Sequence, residues 1–93
     1  MASFTTRVEL HGADKSDYET LHQKMDAQGF SRTITSDDGT RYWLPPAEYN
    51  YVAAATRAEV LAKAKAAASQ VKTSFAVFVT EAGARTWYGL KAA

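Results

Sequence analysis

The chain has 93 residues, 46% of them apolar and 23% charged; this composition excludes intrinsic disorder and suits one globular domain with a core that needs no staples. A formal net charge of +1 excludes a global field that would gather nucleic acid or membrane, so any attraction for phosphate must come from a local patch. Cysteine is absent, which removes disulfides, thiolate nucleophiles and zinc–thiolate sites together and fits a reducing compartment.

From Met1 to Arg7 no basic stretch leads into an apolar run, so no signal peptide is expected. The alanine-rich stretch near residues 52–68 is broken by Arg57, Glu59, Lys63 and Lys65, well short of the ~18 apolar residues of a membrane span. A cytoplasmic protein without a membrane part is the expectation. Residues 3–11 then alternate: Phe4, Thr6, Val8 and Leu10 point one way, and Thr5, Arg7, Glu9 and His11 the other. That period of two predicts a half-buried strand ending at His11-Gly12.

Asp14 or Ser16 can cap the helix that follows, with Asp17 in its first turn. Tyr18, Leu21, Met25 and His22 fall at helical spacing, and Gly29 suits the position after the last turn, so the helix is predicted over about residues 15–28. His22 reads as a half-buried packing histidine. Phe30 to Ser36 is rich in β-branched residues, Ser36-Asp37-Asp38-Gly39 supplies hairpin chemistry, and Thr40 to Leu44 returns antiparallel. Asp37-Asp38 is turn chemistry before it is a metal site.

Pro45-Pro46 interrupts the ladder, because neither residue donates an N–H. Glu48 to Val52 has strand propensity again and is read as the third strand continuing past a bulge at an edge, with a rigid loop as the alternative. Thr56 and Glu59 form a capping-box pattern. Val60, Leu61, Ala64, Ala67, Ala68 and Val71 make the apolar stripe of a second helix, about residues 57–71. Ser74 to Thr80 is strongly apolar, consistent with a central strand covered on both faces. Thr86 to Leu90 is predicted as a short final strand.

The order β-α-β-β-α-β predicts an α+β, ferredoxin-like sandwich, one domain over residues 1–93, with an antiparallel sheet, two helices on one face and a short extra C-terminal strand. Right-handed crossovers bring the first strand beside the Phe75 strand. The other sheet face is open, and fold alone does not choose between a dimer interface, an RNA platform and a ligand site.

Alternation assigns Thr5, Arg7, Glu9 and His11 to that open face, with Arg41 and Trp43 from the third strand and Phe75 or Val77 from the fourth. Guanidinium groups for phosphate and ring faces for bases are what single-stranded RNA uses, and the same mixture also makes dimer interfaces. His11 lies just before a helix N-terminus, whose dipole favours the neutral imidazole that a general base needs. His11 with Glu9 or Asp14, and Arg7, Arg41 and Arg32 for phosphate, could supply the base, acid and cations of a metal-free ribonuclease; a surface-loop histidine beside a turn glycine is the alternative reading of His11. His11 and His22 have no metal-ligand spacing, and no Walker loop, dinucleotide fingerprint or nucleophile elbow occurs. No metal and no cofactor are expected.

Arg7-Val8-Glu9-Leu10-His11, Asp17-Tyr18 with Leu21-His22, Gly29 to Ile34 with Asp38-Gly39, Leu44-Pro45 with Ala47-Glu48-Tyr49, and Arg85-Thr86-Trp87-Tyr88 belong together. In combination they resemble a family of small bacterial proteins, long catalogued as a domain of unknown function, that is placed with the GhoS-type endoribonuclease antitoxins. The resemblance spans nearly the whole chain. It implies a ferredoxin-like fold similar to a CRISPR adaptation nuclease, and a type V toxin–antitoxin role in which the protein cleaves the messenger RNA of a small membrane toxin. The first strand here ends in His11-Gly12, not in the aspartate of the metal-dependent CRISPR relatives, so the expected chemistry is metal-independent. The leading expectation is therefore a homodimeric, RNA-interacting endoribonuclease acting on mRNA. A non-catalytic protein-interaction module is the alternative, and small-molecule binding a third class.

Overall fold

The computed structural model describes all 93 residues. Its elements are β1 (Ala2–Leu10), α1 (Lys15–Ala27), β2 (Thr33–Thr35), β3 (Arg41–Trp43), β4 (Glu48–Ala53), α2 (Arg57–Ser69) and β5 (Phe75–Ala82). β1 is flanked antiparallel by β4 and β5, in the order β4-β1-β5, and β2 and β3 form a separate two-stranded sheet. Paired backbone bonds of 2.8 and 2.7 Å between Ser31 and Asn50 join the hairpin to β4. No helix is long and apolar enough to cross a membrane.

Both helices pack on the face of β1 that carries Phe4, Thr6, Val8 and Leu10. The core cluster joins these apolar residues to Leu21 and Met25 of α1, Val60, Ala64, Ala67 and Ala68 of α2, and Phe30 and Tyr49. The alanines let α2 lie close to the strands. Leu61, expected in the stripe, is instead exposed beside Val77 and Phe78 at the outer side of β5.

Each helix begins with a reciprocal capping box, Asp14 with Asp17 and Thr56 with Glu59. α1 ends in a Schellman arrangement: Gly29 N–H donates to the Asp26 carbonyl at 2.9 Å and Phe30 N–H to the Met25 carbonyl at 3.1 Å. Gly29 takes φ +93°, and a Cβ there would sit 3.3 Å from the Tyr51 ring. This tight stop turns Phe30 into the core, where its ring lies 4.8 Å from that of Tyr51.

The structure corrects three further sequence-based expectations. β5 is an edge strand, not a central one, because only β1 pairs with it. Pro45-Pro46 is not a bulge within one strand: Glu48 N–H donates to the Pro45 carbonyl at 3.1 Å, closing a turn with Ala47 at φ 73°. That turn needs positive φ at its third residue, and it transfers the chain from the hairpin to β4.

Residues 86–90 form no strand. Arg85 and Trp87 hold that segment through their side chains, and Gly89 redirects it at φ 81°. Backbone pairing resumes only where Trp43 N–H donates to the Lys91 carbonyl and Ala93 N–H to the Arg41 carbonyl, both at 2.9 Å. The segment thus runs from the β5 edge across the supposedly open face to β3.

Thr6, fully buried between Tyr49 and Val79, has a hydroxyl with no hydrogen-bond partner. Thr6→Val is nearly the same shape and should raise stability by about 1 kcal/mol in urea melts. Gly29→Ala should lower it by about 1–2 kcal/mol or more, through the left-handed backbone and the crowding against Tyr51.

Candidate active site

The face of β1 away from the helices carries Thr5, Arg7 and Glu9, with His11 just past its end. Register places Glu48 and Phe78 on either side of Arg7, and Asn50 and Thr80 on either side of Thr5. Phe78 is 70% exposed, so it is the β5 aromatic of this face. Phe75 and Val77, expected on this face, instead pack against the core. Arg7, Glu9, Ala76, Val77 and Phe78 line a hollow of about 250 Å³.

His11 is held at both ring nitrogens. Its Nε2 lies 3.1 Å from Glu9 Oε1 and its Nδ1 2.8 Å from Ser74 Oγ. A carboxylate only accepts, so Nε2 carries the proton and donates to Glu9; in the neutral ring Nδ1 is then the basic nitrogen, and the Ser74 hydroxyl donates to it. The backbone reinforces the arrangement, since His11 N–H donates to the Ser74 carbonyl at 3.1 Å. The imidazole remains 47% exposed and the carboxylate 63%, so solvent and a ligand can reach both. Ser74 was missed in the sequence. Its signal is the β1–β5 register, which sets Leu10 opposite Phe75 and hence His11 beside Ser74.

Asp14 takes no part in this centre. Its carboxylate accepts from Asp17 N–H at 2.9 Å and from the Ser16 hydroxyl at 2.8 Å, and these bonds hold its pKa below the ordinary value. Asp38 is likewise spent in the hairpin, where it accepts from the Ser36 hydroxyl and from Thr40 N–H, and its pKa is lowered for that reason.

Arg32, Arg41 and Trp43 do not join Arg7. They belong to the hairpin, and Arg41 and Trp43 alternate with Tyr42, whose ring lies 5.5 Å from Trp87 of the crossing segment. They therefore project from the other side of the hairpin. Arg41 donates to Thr33 Oγ1 at 3.1 Å, and the Arg32 guanidinium lies 5.4 Å from the Trp43 ring centroid, a cation–π contact. The arginine on the sheet face with Arg7 is instead Arg85. Its Nη1 donates to Asn50 Oδ1 at 2.7 Å and to Thr5 Oγ1 at 3.1 Å, and burial lowers its pKa.

His22 is structural. Its Nδ1 shares a 2.6 Å hydrogen bond with the Tyr49 hydroxyl. Burial first, and the nearby Arg32 charge second, lower the His22 pKa; burial raises that of Tyr49.

Set against protein-family models, curated proteins and solved structures, the chain matches none of them.

The folded protein binds a proton at His22 less readily than the unfolded chain, whose histidine titrates near 6.5. His22 should therefore contribute fully above that pH, and stability should fall as pH drops below it. Denaturant melts between pH 7.5 and 5 should show that decline, and His22→Gln should flatten it.

Proposed function

We propose that this protein is an RNA-interacting endoribonuclease, an antitoxin of the GhoS type or a relative of one, with a ferredoxin-like fold, acting on messenger RNA as a cytoplasmic homodimer. The observation that carries the reading is the His11 imidazole fixed between Glu9 and Ser74 at the exposed end of β1. The fold assignment is supported by the line β5-β1-β4, with Ser31 before β2 bridging to Asn50 of β4, each neighbour antiparallel. The family resemblance in the sequence adds the antitoxin role and the mRNA substrate.

Cleavage of RNA without metal needs a base for the 2′-hydroxyl, a proton for the leaving 5′-oxygen and positive charge near phosphorus. A ribose 2′-hydroxyl that displaces the Ser74 hydroxyl would meet Nδ1, the basic nitrogen. Nδ1 takes the proton as the 2′-oxygen attacks phosphorus, and the imidazolium is stabilised by Glu9. The 5′-oxygen leaves with a proton from the imidazolium or from water, giving a 2′,3′-cyclic phosphate and a 5′-hydroxyl. Glu9 acts through His11, as a positioning residue. Arg7 supplies charge on the same face, and Phe78 offers a ring for a base.

A second reading, a non-catalytic interaction module, is favoured by Phe78 and Val52, 70% and 47% exposed on one sheet face. Incubating the protein with long single-stranded RNA in EDTA separates the two. The nuclease reading expects cleavage with cyclic-phosphate ends, reduced about 10²–10⁴-fold in His11→Ala by removal of the base. Binding should weaken steeply with salt. Cleavage that persists in His11→Ala sinks the site; neither cleavage nor salt-sensitive binding over several RNAs leaves the interaction module.

A further inference from the structure

At the far end of β1 from His11, the crossing segment after β5 and the β2–β3 hairpin border an open cleft of about 580 Å³. The volume is that of a small-molecule site. Ser3, which lines the cleft, and His11 are separated by roughly 26 Å of strand at ~3.3 Å per residue, so the cleft is distinct from the histidine centre.

The chemistry of its lining is specific. Arg85 is half-buried, its Nη1 rests on two neutral oxygens, and no carboxylate is paired with it. Removing a cation from water without a counter-ion is unfavourable, and an anion in the cleft would offset that. Trp87 and Tyr42 lie at the same wall, half-buried and tilted 60° to one another. Asp37 and Asp38 both line the cleft at the hairpin tip; Asp38 is occupied by turn bonds, and Asp37 makes none of them.

We propose that this cleft binds one nucleoside monophosphate unit, with its phosphate on Arg85, its base against Trp87 and a base amino group donating to Asp37. The unit is either a residue of single-stranded RNA or a free nucleotide. Its origin in RNA rests on the function proposed above, while the recognition chemistry does not.

The chain has two tryptophans, so Trp43→Phe leaves Trp87 as the sole indole reporter. Titration of that protein with adenosine 5′-monophosphate should change its fluorescence saturably. Uridine 5′-monophosphate, which lacks an exocyclic amino group, and inorganic phosphate should bind more weakly. Arg85→Gln removes the positive charge while leaving a polar side chain at the wall and should weaken binding about ten-fold. Asp37→Ala, at an exposed turn, removes the acceptor and should reduce the preference for adenosine over uridine while the protein stays folded.

No saturable change with either nucleotide would overturn the proposal, as would equal adenosine binding in the Trp43→Phe protein with and without Arg85→Gln or Asp37→Ala. A single-stranded oligonucleotide distinguishes the two sources. If the mononucleotide binds and the oligonucleotide is neither bound nor cut, the site holds a free nucleotide and the RNA reading fails. If the oligonucleotide is cut while the mononucleotide leaves Trp87 unchanged, the nuclease stands and this site does not.

Discussion

Pairing of β1 on both sides, in a fixed register, is the constraint from which the rest of the molecule follows. Thr5 faces Asn50 on one neighbour and Thr80 on the other, and the two-residue period of a strand then divides β1 between two tasks. One set of side chains, Phe4, Thr6, Val8 and Leu10, meets the helices. The other set, Thr5, Arg7 and Glu9, faces outward with His11. A slip of one residue would put Arg7 and Glu9 into the core and Phe4 and Val8 into water. The core therefore fixes the register, and the register fixes which groups flank the histidine.

The same constraint accounts for the C-terminal segment. Thr5 and Asn50 are register partners, so their side chains stand together and present two neutral oxygens to one guanidinium. Arg85 draws the chain onto the sheet instead of letting it continue as a strand beside β5. Trp87 then meets Tyr42, and the backbone reaches β3. A face that looks open from the element order is divided into a covered end and a free end carrying Arg7, Glu9, Phe78 and His11.

Features governed by neighbours in sequence were legible before the structure. The alternation of β1, the caps at Thr56 and at Asp14 (one of two candidates beside Ser16), the stop at Gly29 and the Ser36–Gly39 turn each depend on a few adjacent residues. The pairing of Glu9 with His11 belongs to the same class, since residues two apart on a strand share a face. β5 was less legible because Phe75, Val77 and Val79 alternate with Ala76 and Phe78, so both faces are apolar and the pattern does not say which is inside. The other misses, Ser74 at His11, Arg85 on Thr5 and Asn50, and Arg41 turned away from Arg7, depend on register and chain path. Those are set by contacts across the whole chain.

The span of those contacts also governs when the histidine centre can exist. Ser74 is 63 residues from His11, and β1 acquires its second neighbour only through residues 75–82. Closing so long a loop precedes any reward from the contacts it makes. Synthesis runs from the N-terminus, so a growing chain on the ribosome displays His11 and Glu9 long before it has a serine to orient the imidazole or a β5 to fix the strand beneath them. The complete centre arises only once β5 has paired with β1.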